Sequence, residues 1–293
     1  MGFARPQPCH NVPMPELPEV ETVVRGLRAT LPGRRIESVR LGKTDFIDDP
    51  AALERELPGR RVVAVERHGK FIQMRLEGGP GAGPASLLVH LGMTGQLATR
   101  APAEPVAPHT HVFFALDDGR ELRYTDPRRF GRIALLLDGG AEAVLGRLGR
   151  DPLEISLEEF RDKLAARRAM IKALLLNQSF LRGMGNIYTD ESLWRARIHP
   201  QRLAVKLTPQ QARALHRAMR DVLAAAIRLR GSSISDFLDA LGRPGAYQVR
   251  HRVYDHEGKP CFRCRTKIRR IIVAGRSSYF CPRCQSAPRT RCR

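Results

Sequence analysis

The chain has 293 residues, of which 42% are hydrophobic and 27% are charged, and this length favours two domains with a real core over one. Lysine and arginine outnumber aspartate and glutamate by 50 to 30, so the formal net charge is +20. An excess of this size favours an anionic polymer as partner, and nucleic acid is the first candidate. A generally basic enzyme or an arginine-rich coding bias would give the same balance. No apolar run reaches the ~18 residues of a membrane span, so no membrane partner is expected.

Six cysteines occur, at positions 9, 261, 264, 281, 284 and 292. Four of them form two Cys-x-x-Cys pairs, whereas Cys9 and Cys292 lie in polar ends without an evident partner. This pattern favours metal binding in a reducing compartment over a disulfide framework. The first 13 residues contain prolines and no apolar stretch, so they are not a secretory signal. We therefore expect a cytoplasmic protein.

The start of the first predicted helix combines prolines with carboxylates. Pro18 fits the first helical turn, valines and leucines then recur at helical spacing, and Glu19 lies where the helix dipole favours a negative charge. Pro15 and Glu16 come directly before this helix. If synthesis starts at Met14 and that methionine is removed, Pro15 becomes a secondary amine, which can attack an electrophilic carbon and form an iminium. Without further context, a chance surface start explains the same residues.

Short β-rich runs follow the first helix, with one short helix around Leu53 and Leu57 between the first two runs. Glycine- and proline-rich loops are predicted at 78–84 and 99–108. Many short strands at this spacing favour a β-sandwich over βαβ units. The predicted strands are 36–41, 62–67, 71–76, 87–91, 112–116, 122–125 and 133–137.

The pattern becomes helical beyond residues 138–140. Capping boxes begin at Ser156 and at Thr208, and the second has proline at the first helical position and a long helix after it. The glycine-rich segment 183–186 joins two predicted helices. Glycines let the backbone approach closely and N–H groups at a helix start can hold a phosphate, although a tight helix–helix turn explains the same residues. The two helices are 170–176 and 187–196.

The two Cys-x-x-Cys pairs near the C-terminus are separated by 16 residues, which matches a structural four-cysteine zinc site. The residues between the pairs predict a β-hairpin with its turn at 274–278. A segment this short cannot fold by apolar burial alone, so one structural zinc ion would supply its folding energy. No acidic residue follows Gly258, which suits phosphate contact, although a knuckle used only for stability or protein contact fits as well. The predicted ligands are Cys261, Cys264, Cys281 and Cys284.

Five separated motifs together resemble the bacterial formamidopyrimidine-DNA glycosylase family. They are the segments 15–22, 90–95, 125–131 and 183–188 and the four cysteines, and the resemblance runs from Met14 to about Gln285. Leu17 stands where the related endonuclease VIII group usually has glycine, which favours the purine-specific branch. The resemblance implies an α+β multidomain fold: an N-terminal antiparallel β-sandwich with flanking helices, a helical helix–two-turn–helix domain and a C-terminal zinc-finger hairpin.

The family's activity is base-excision DNA repair. The resemblance therefore implies a bifunctional DNA glycosylase and abasic-site lyase that removes 8-oxoguanine and formamidopyrimidines from damaged double-stranded DNA. By the same resemblance, Pro15 is the Schiff-base nucleophile, Glu16 is the proton donor and Glu19 is a supporting carboxylate. Lys70 corresponds to the family lysine of β-elimination and Arg276 to the arginine of δ-elimination. The chemistry agrees, because loss of a base from C1′ needs proton transfer while an amine attacks.

Enzymes that act on a base inside a duplex flip the base out and fill the gap. The side chains that fill the gap form a wedge between base steps. Methionine, arginine and phenylalanine suit such a wedge, although methionine and phenylalanine taken singly suit a core. A loop at 231–247 is expected to cover the flipped base. The resemblance places the wedge at Met93, Arg128 and Phe130, and DNA contacts at His109, Arg128, Arg168 and Asn186.

Two departures from the family pattern affect these expectations. Residues 1–13 precede the motif, and inside a longer chain the nitrogen of Pro15 is a tertiary amide without a lone pair for attack. We therefore expect this extension to be absent from the mature protein or disordered. Arg265 stands where the family often has glycine, which predicts an altered turn after the second cysteine.

Two alternative functions stay open at this point. One is a non-catalytic, zinc-containing protein that binds damaged DNA, if Pro15 is not the mature N-terminus, and the other is a pyrimidine glycosylase of the endonuclease VIII type. The expected protein is a monomer that associates with the nucleoid. Its predicted segments are an extension (1–13), a catalytic β-sandwich domain (14–138), a helical DNA-binding domain (150–247), a zinc hairpin (253–287) and a basic tail (288–293).

Overall fold

A computed structural model describes residues 14–80, 83–234 and 237–287. The expected extension 1–13 and tail 288–293 lie outside the described residues, and so do Cys9 and Cys292. Across the described ranges, no helix is both long and apolar enough to cross a membrane.

The N-terminal half is a β-sandwich flanked by helices. Its described elements are α1 (Leu17–Arg28), β1 (Ile36–Leu41), α2 (Pro50–Glu56), β2 (Arg61–His68), β3 (Phe71–Glu77), β4 (Ala85–His90), β5 (Gln96–Arg100), β6 (Thr110–Leu116), β7 (Glu121–Thr125) and β8 (Arg132–Leu137). The strands form two four-stranded antiparallel sheets, in the orders β2-β3-β4-β8 and β1-β6-β7-β5. Residues from both sheets and from both helices enclose one apolar core.

Helix α1 forms because its apolar residues share one face. Val20, Val23, Val24 and Leu27 follow the i, i+3, i+4, i+7 spacing, and each is at most 1% exposed. Pro18 occupies the first turn, as predicted, where its missing N–H costs nothing.

The prediction of a loop at 99–108 is wrong at its start, because residues 99 and 100 belong to β5. This strand pairs with β7, and Leu97 and Ala98 are both buried although they are neighbours in the chain. Burial on both faces removes the alternation of apolar and polar residues that identifies a strand in sequence. The pairing with β7 is therefore a tertiary effect.

The second half is helical and continues into a hairpin. Its described elements are α3 (Gly140–Leu145), α4 (Leu157–Ala165), α5 (Ile171–Leu176), α6 (Asn186–Arg195), α7 (Pro209–Arg228), β9 (Arg269–Val273) and β10 (Arg276–Phe280). A second apolar core joins α4 to α7 and includes Cys261, Ile268 and Cys281 of the cysteine module. The zinc hairpin therefore packs on the helical part instead of standing apart from it.

Both predicted caps begin helices, but only one is a complete capping box. Thr208 Oγ1 accepts from the N–H of Gln211 at 3.2 Å, and Gln211 Oε1 accepts from the N–H of Thr208 at 3.1 Å. Ser156 Oγ accepts from the N–H of Glu159 at 3.1 Å, whereas the carboxylate of Glu159 lies 3.3 Å from Arg150.

The two halves exchange residues between their cores. Leu17 of α1 belongs to the helical core, and Ala240, from the segment after α7, belongs to the β-sandwich core. This exchange holds the start of α1 against α6, where the predicted catalytic residues lie. The predicted fold class is confirmed.

Candidate active site and zinc centre

The carboxyl groups of Glu16 and Glu19 are buried at the junction of α1 and α6, and each residue is 2% exposed. Glu16 accepts from the N–H of Ile187 at 2.9 Å and from that of Tyr188 at 3.3 Å, so the positive end of α6 holds it. Glu19 reaches back to the N–H of Glu16 at 2.9 Å. Its other oxygen accepts from the N–H of Ser232 at 2.6 Å and from the hydroxyl of Tyr188.

The glycine-rich segment 183–186 makes this approach possible. Gly183 has φ +90°, and its carbonyl accepts from the N–H of Leu17 at 3.0 Å. A Cβ atom at Gly185 would overlap the carboxyl group of Glu16. Glycine is therefore required here by close contact between α1 and α6, and not only by a turn.

A cavity of about 260 Å³ brings together predicted residues from all three parts of the chain. Lys70 enters it from the turn between β2 and β3, Asn186 from the start of α6 and Arg276 from the first residue of β10. Both polar side-chain atoms of Asn186 are buried and bond to no described residue, which is typical of a polar group that a ligand completes. The predicted residues that line this cavity are Glu16, Lys70, Met93, Asn186 and Arg276. Pro15 and Glu19 line a small cavity that shares Met14 and Met93 with it.

Burial shifts the pKa values of the carboxyl groups and of the lysine in opposite directions. It raises the pKa of Glu16, with Lys70 opposing the change, and raises the pKa of Glu19 to about 7, with the neighbouring charge of Glu16 adding to it. Burial lowers the pKa of Lys70, and Arg276 lowers it further while Glu16 opposes. A carboxyl group that retains its proton more readily than usual therefore lies in the same cavity as a lysine that loses its proton more easily than usual.

A buried ion pair positions the strand that carries Arg276. Lys172 of α5 donates to Asp190 of α6 at 2.7 Å and to the carbonyl of Ser277 at 2.7 Å. The second oxygen of Asp190 accepts from the N–H of Tyr279 at 2.9 Å. These contacts tie β10 to the helical core. Neither Lys172 nor Asp190 was predicted, because a lysine in an apolar helix carries no signal of its buried partner.

The predicted wedge residues lie on two neighbouring turns. A Cβ atom at Gly92 would overlap the carbonyl group of Phe130, so the turn that carries Met93 touches the turn that carries Phe130. Met93 is half-buried, Arg128 is exposed and Phe130 is 61% exposed. A large apolar side chain this exposed is typical of a contact surface.

One buried carboxylate, missed by the sequence analysis, organises both turns. Asp126 accepts from the hydroxyl of Thr94 at 2.6 Å, from the N–H of Gly131 at 2.8 Å and from the hydroxyl of Tyr124 at 3.1 Å. The N–H of Arg128 lies 3.3 Å from the same carboxylate. The motif 125–131 contains this aspartate, but its spacing alone did not indicate that the side chain points inward.

Two predicted DNA contacts lie away from the cavity. His109 is exposed with φ +64°, and its carbonyl accepts from the N–H of Asp126 at 3.0 Å, which places it beside the wedge turns. Arg168 is exposed between α4 and α5. A larger cavity of about 580 Å³ lies elsewhere, between α4 and α7, and no predicted site residue lines it.

The four predicted cysteine ligands converge. Their sulfur atoms all lie within 4.8 Å of one another, with 3.4 Å between Cys264 and Cys281 and 4.0 Å between Cys261 and Cys284. Tetrahedral zinc with bonds of about 2.3 Å separates its sulfur ligands by about 3.8 Å, whereas a disulfide needs about 2.05 Å. The donor set therefore fits one structural zinc ion, as predicted.

The segment between Cys261 and Arg265 contacts the end of α6 and contains one residue in a left-handed conformation. The guanidinium of Arg263 donates to the carbonyls of Trp194 at 2.6 Å and Arg195 at 3.1 Å, which satisfies the C-terminal end of α6. Arg265 has φ +62°, the left-handed conformation that glycine adopts most easily. The turn thus takes a backbone conformation that favours glycine although arginine occupies it.

A β-sandwich and a helical part meet at paired buried carboxylates, with a four-cysteine hairpin beside them. This is the arrangement that the resemblance implied for a zinc-finger DNA glycosylase with a helix–two-turn–helix domain. Three family models match consecutive parts of the chain. The formamidopyrimidine-DNA glycosylase N-terminal domain matches residues 14–133, the H2TH domain of that enzyme matches 148–238, and the zinc finger found in FPG and IleRS matches 258–287. The chain belongs to the formamidopyrimidine-DNA glycosylase family.

Individual relatives agree with this assignment. The formamidopyrimidine-DNA glycosylase of Solibacter usitatus is 47% identical over 274 residues, which cover 93% of this chain and 99% of the relative. Crystalline MutM (FPG) from Thermus thermophilus is 42% identical with a TM-score of 0.81, over 94% of this chain and 100% of that one. A Lactococcus lactis FPG mutant in complex with Fapy-dG containing DNA is 34% identical with a TM-score of 0.84, over 93% and 100% of the two chains. The resemblance inferred from the motifs is confirmed.

Proposed function

We propose that this chain repairs oxidised purines in double-stranded DNA, as a DNA-formamidopyrimidine glycosylase and abasic-site lyase. The observation that carries the proposal is the convergence of Pro15, two buried carboxyl groups and Lys70 at the junction of α1 and α6. Solved relatives hold DNA with Fapy-dG, with an abasic site or with carbocyclic 8-oxo-G, which supports these lesions as substrates. Neither the pyrimidine-specific nor the non-catalytic alternative is favoured by these relatives.

The first chemical step uses Pro15 as a secondary amine. Its lone pair forms a bond to C1′ of the sugar while the bond to the base breaks, and the base leaves with the bonding electrons and takes up a proton. The nitrogen, which is cationic after this attack, then loses its N–H proton and regains a lone pair. The nitrogen lone pair then forms the C=N bond as the bond between C1′ and O4′ opens, and O4′ takes a proton from Glu16, whose pKa burial raises. The product is a cationic iminium, beside which the carboxylate of Glu19 is stabilising.

The second stage cleaves the strand by two eliminations. The iminium acidifies C2′, a base removes a proton there, and the 3′ phosphate leaves. Loss of a second proton, from C4′, expels the 5′ phosphate. We assign the first elimination to Lys70, whose lowered pKa favours the neutral amine, and the second to Arg276, whose guanidinium can hold the departing phosphate.

The DNA-binding surface follows from the same geometry. We propose that Met93, Arg128 and Phe130 fill the gap left by the flipped base, and that Asn186 holds a phosphate at the start of α6. We also propose that His109 and Arg168 contact DNA. The proposed domains span residues 14–138, 150–247 and 253–287. The acting species is a monomer, in the bacterial cytoplasm and associated with the nucleoid.

This mechanism requires that Pro15 is the first residue of the active protein. The family model begins its match at residue 14, which supports a mature chain without the extension. We expect protein that starts at Pro15 to form a covalent adduct with an abasic duplex under borohydride, and mass spectrometry should locate that adduct on Pro15. Protein with residues 1–14 retained and the same zinc content should bind the duplex and form no adduct. Equal adduct formation by both proteins would overturn the proposal.

A further inference from the structure

A chain of hydrogen bonds leads from Glu19 to a buried histidine that the proposed reaction does not use. The hydroxyl of Tyr188 donates to Glu19 and lies 3.3 Å from the hydroxyl of Ser232. Ser232 Oγ lies 3.0 Å from His251 Nε2. All four residues are at most 4% exposed. These hydrogen bonds therefore lead from the small cavity, which Glu19 and Ser232 both line, into the interior of the protein.

The surroundings of His251 make it a neutral ring. It packs edge-on between Tyr247 and Tyr254, with ring centroids 5.7 Å and 5.6 Å away. Burial lowers the pKa of His251 to about 4, and the neighbouring His256 contributes to this change. At neutral pH the ring therefore carries a single N–H, which it can place on either nitrogen.

The direction of the hydrogen bonds depends on the charge of Glu19. When Glu19 is ionised, Tyr188 donates to it, Ser232 can donate to Tyr188, and His251 can donate from Nε2 to Ser232. Each hydroxyl then accepts one hydrogen bond and donates one, and all three donors point towards the carboxylate. Such aligned donors polarise one another and stabilise the negative charge at the end of the chain.

We propose that His251 is a positioning residue that acts through Ser232 and Tyr188 to keep Glu19 ionised beside the reacting amine. The inference rests on the proposed function, because it requires an iminium at Pro15 that the Glu19 carboxylate stabilises. The other charged groups that act on Glu19 are Glu16 and Lys70. His251 touches neither of them in the described structure, so its effect has to pass along the hydrogen-bonded chain.

The test compares His251→Phe with His251→Gln. Phenylalanine fills the space without a donor, whereas the glutamine amide can donate from the position of Nε2. His216→Phe is the matched control. The ring of His216 also makes one hydrogen bond, at 2.8 Å to the carbonyl of Ile155, but it is not part of the hydrogen bonds that lead to Glu19. The rate of borohydride trapping on an abasic duplex is measured in single turnover between about pH 5.5 and 8.5.

We expect His251→Phe to move the acidic limb of the profile upward by about half a pH unit, because loss of the bond from His251 to Ser232 weakens the aligned donors that stabilise the charge of Glu19 and so raises its pKa. The acidic limb moves upward because Glu19, with a higher pKa, takes up its proton and loses its charge at a higher pH. Trapping should fall roughly threefold below the midpoint and change little at the alkaline end. His251→Gln should restore the wild-type profile, and His216→Phe should leave it unchanged.

Ser232→Ala is a second variant in case His251→Phe does not fold. It interrupts the series of hydrogen bonds from His251 to Glu19 but keeps the N–H of residue 232 that donates to Glu19. It should therefore give the same upward shift. An unshifted profile in either folded variant, or an equal loss at every pH in both His251 variants, overturns the inference while wild-type trapping still supports the proposed function. Absence of any adduct with the wild-type protein would instead overturn the proposed function, and the inference with it.

Discussion

At the scale of single residues, the site depends on burial more than on unusual side chains. Glu16 and Lys70 are ordinary residue types whose pKa values are both shifted by loss of water. Burial raises the pKa of Glu16 and lowers that of Lys70, so it favours the neutral form of both groups. This pairing is what an acid-assisted glycosylase step followed by a base-assisted elimination requires.

Lys70→Arg should separate the two steps. Arginine retains a positive charge in the cavity but stays protonated at all ordinary pH values. We therefore expect borohydride adducts to persist while strand cleavage falls by about 10²-fold or more, since general-base assistance is lost. In the wild-type protein, cleavage should rise as pH rises through the lowered pKa of Lys70. A gel assay of cleaved and trapped product on one abasic duplex measures both quantities.

The matched control is Lys206→Arg, the same substitution at an exposed lysine outside the cavity. It should change neither adduct formation nor cleavage. If Lys70→Arg cleaves the strand at the wild-type rate, Lys70 is not the base of β-elimination.

At the scale of secondary structure elements, the two-stranded hairpin β9–β10 depends on contacts from outside itself. The zinc ligands hold its base, and Lys172 with Asp190 holds β10 against the helices. An isolated two-stranded hairpin is marginal in water. The position of Arg276 in the cavity therefore depends on both the metal and the buried ion pair.

Cys281→Ser should remove zinc, because the buried Cys281 is one of four ligands and its loss leaves an incomplete site. We expect the zinc content to fall from one ion per chain to none, with loss of duplex binding. Metal analysis and a binding titration on the same preparation measure the two effects. Cys292→Ser, which alters a cysteine outside the predicted ligand set, should leave both unchanged. Retained zinc in Cys281→Ser would contradict the four-cysteine assignment.

At the scale of the whole molecule, charge and interlocked cores combine. The net charge of +20 favours binding to DNA of any sequence. The exchange of Leu17 and Ala240 between the cores fixes the two halves around the cavity. A duplex that contacts the wedge turns, α6 and the hairpin therefore meets groups from every part of the chain at once.

Affinity for duplex DNA should fall steeply with salt, because cationic contacts to phosphates release counterions. Three arginines proposed to face DNA, Arg128, Arg168 and Arg276, predict a slope of log affinity against log salt of about −3. Fluorescence anisotropy with an uncleavable abasic analogue, between about 50 and 200 mM salt, measures it. Arg276→Gln should make the slope shallower by about 1, whereas Arg213→Gln, in the cavity between α4 and α7, should not. A flat dependence would contradict a phosphate-dominated interface.

Several features of this protein were determined by the amino-acid sequence alone. The bounds of β1, the course of α1, the capping box at Thr208 and the four cysteine ligands were all predicted, because each depends on local periodicity or on short fixed spacing. The motifs also identified the family, since five separated motifs occur in the chain in the order that the family has them.

Other features were decided only by the tertiary structure. The strand β5, the inward carboxylate of Asp126, the ion pair of Lys172 and the link from Glu19 to His251 all involve partners that are distant in the chain. The same holds for the pKa values of the site, because they follow from burial and from neighbouring charges. Local sequence encodes which groups are present and how a segment folds, whereas loss of water and long-range contact determine how those groups ionise and where they point.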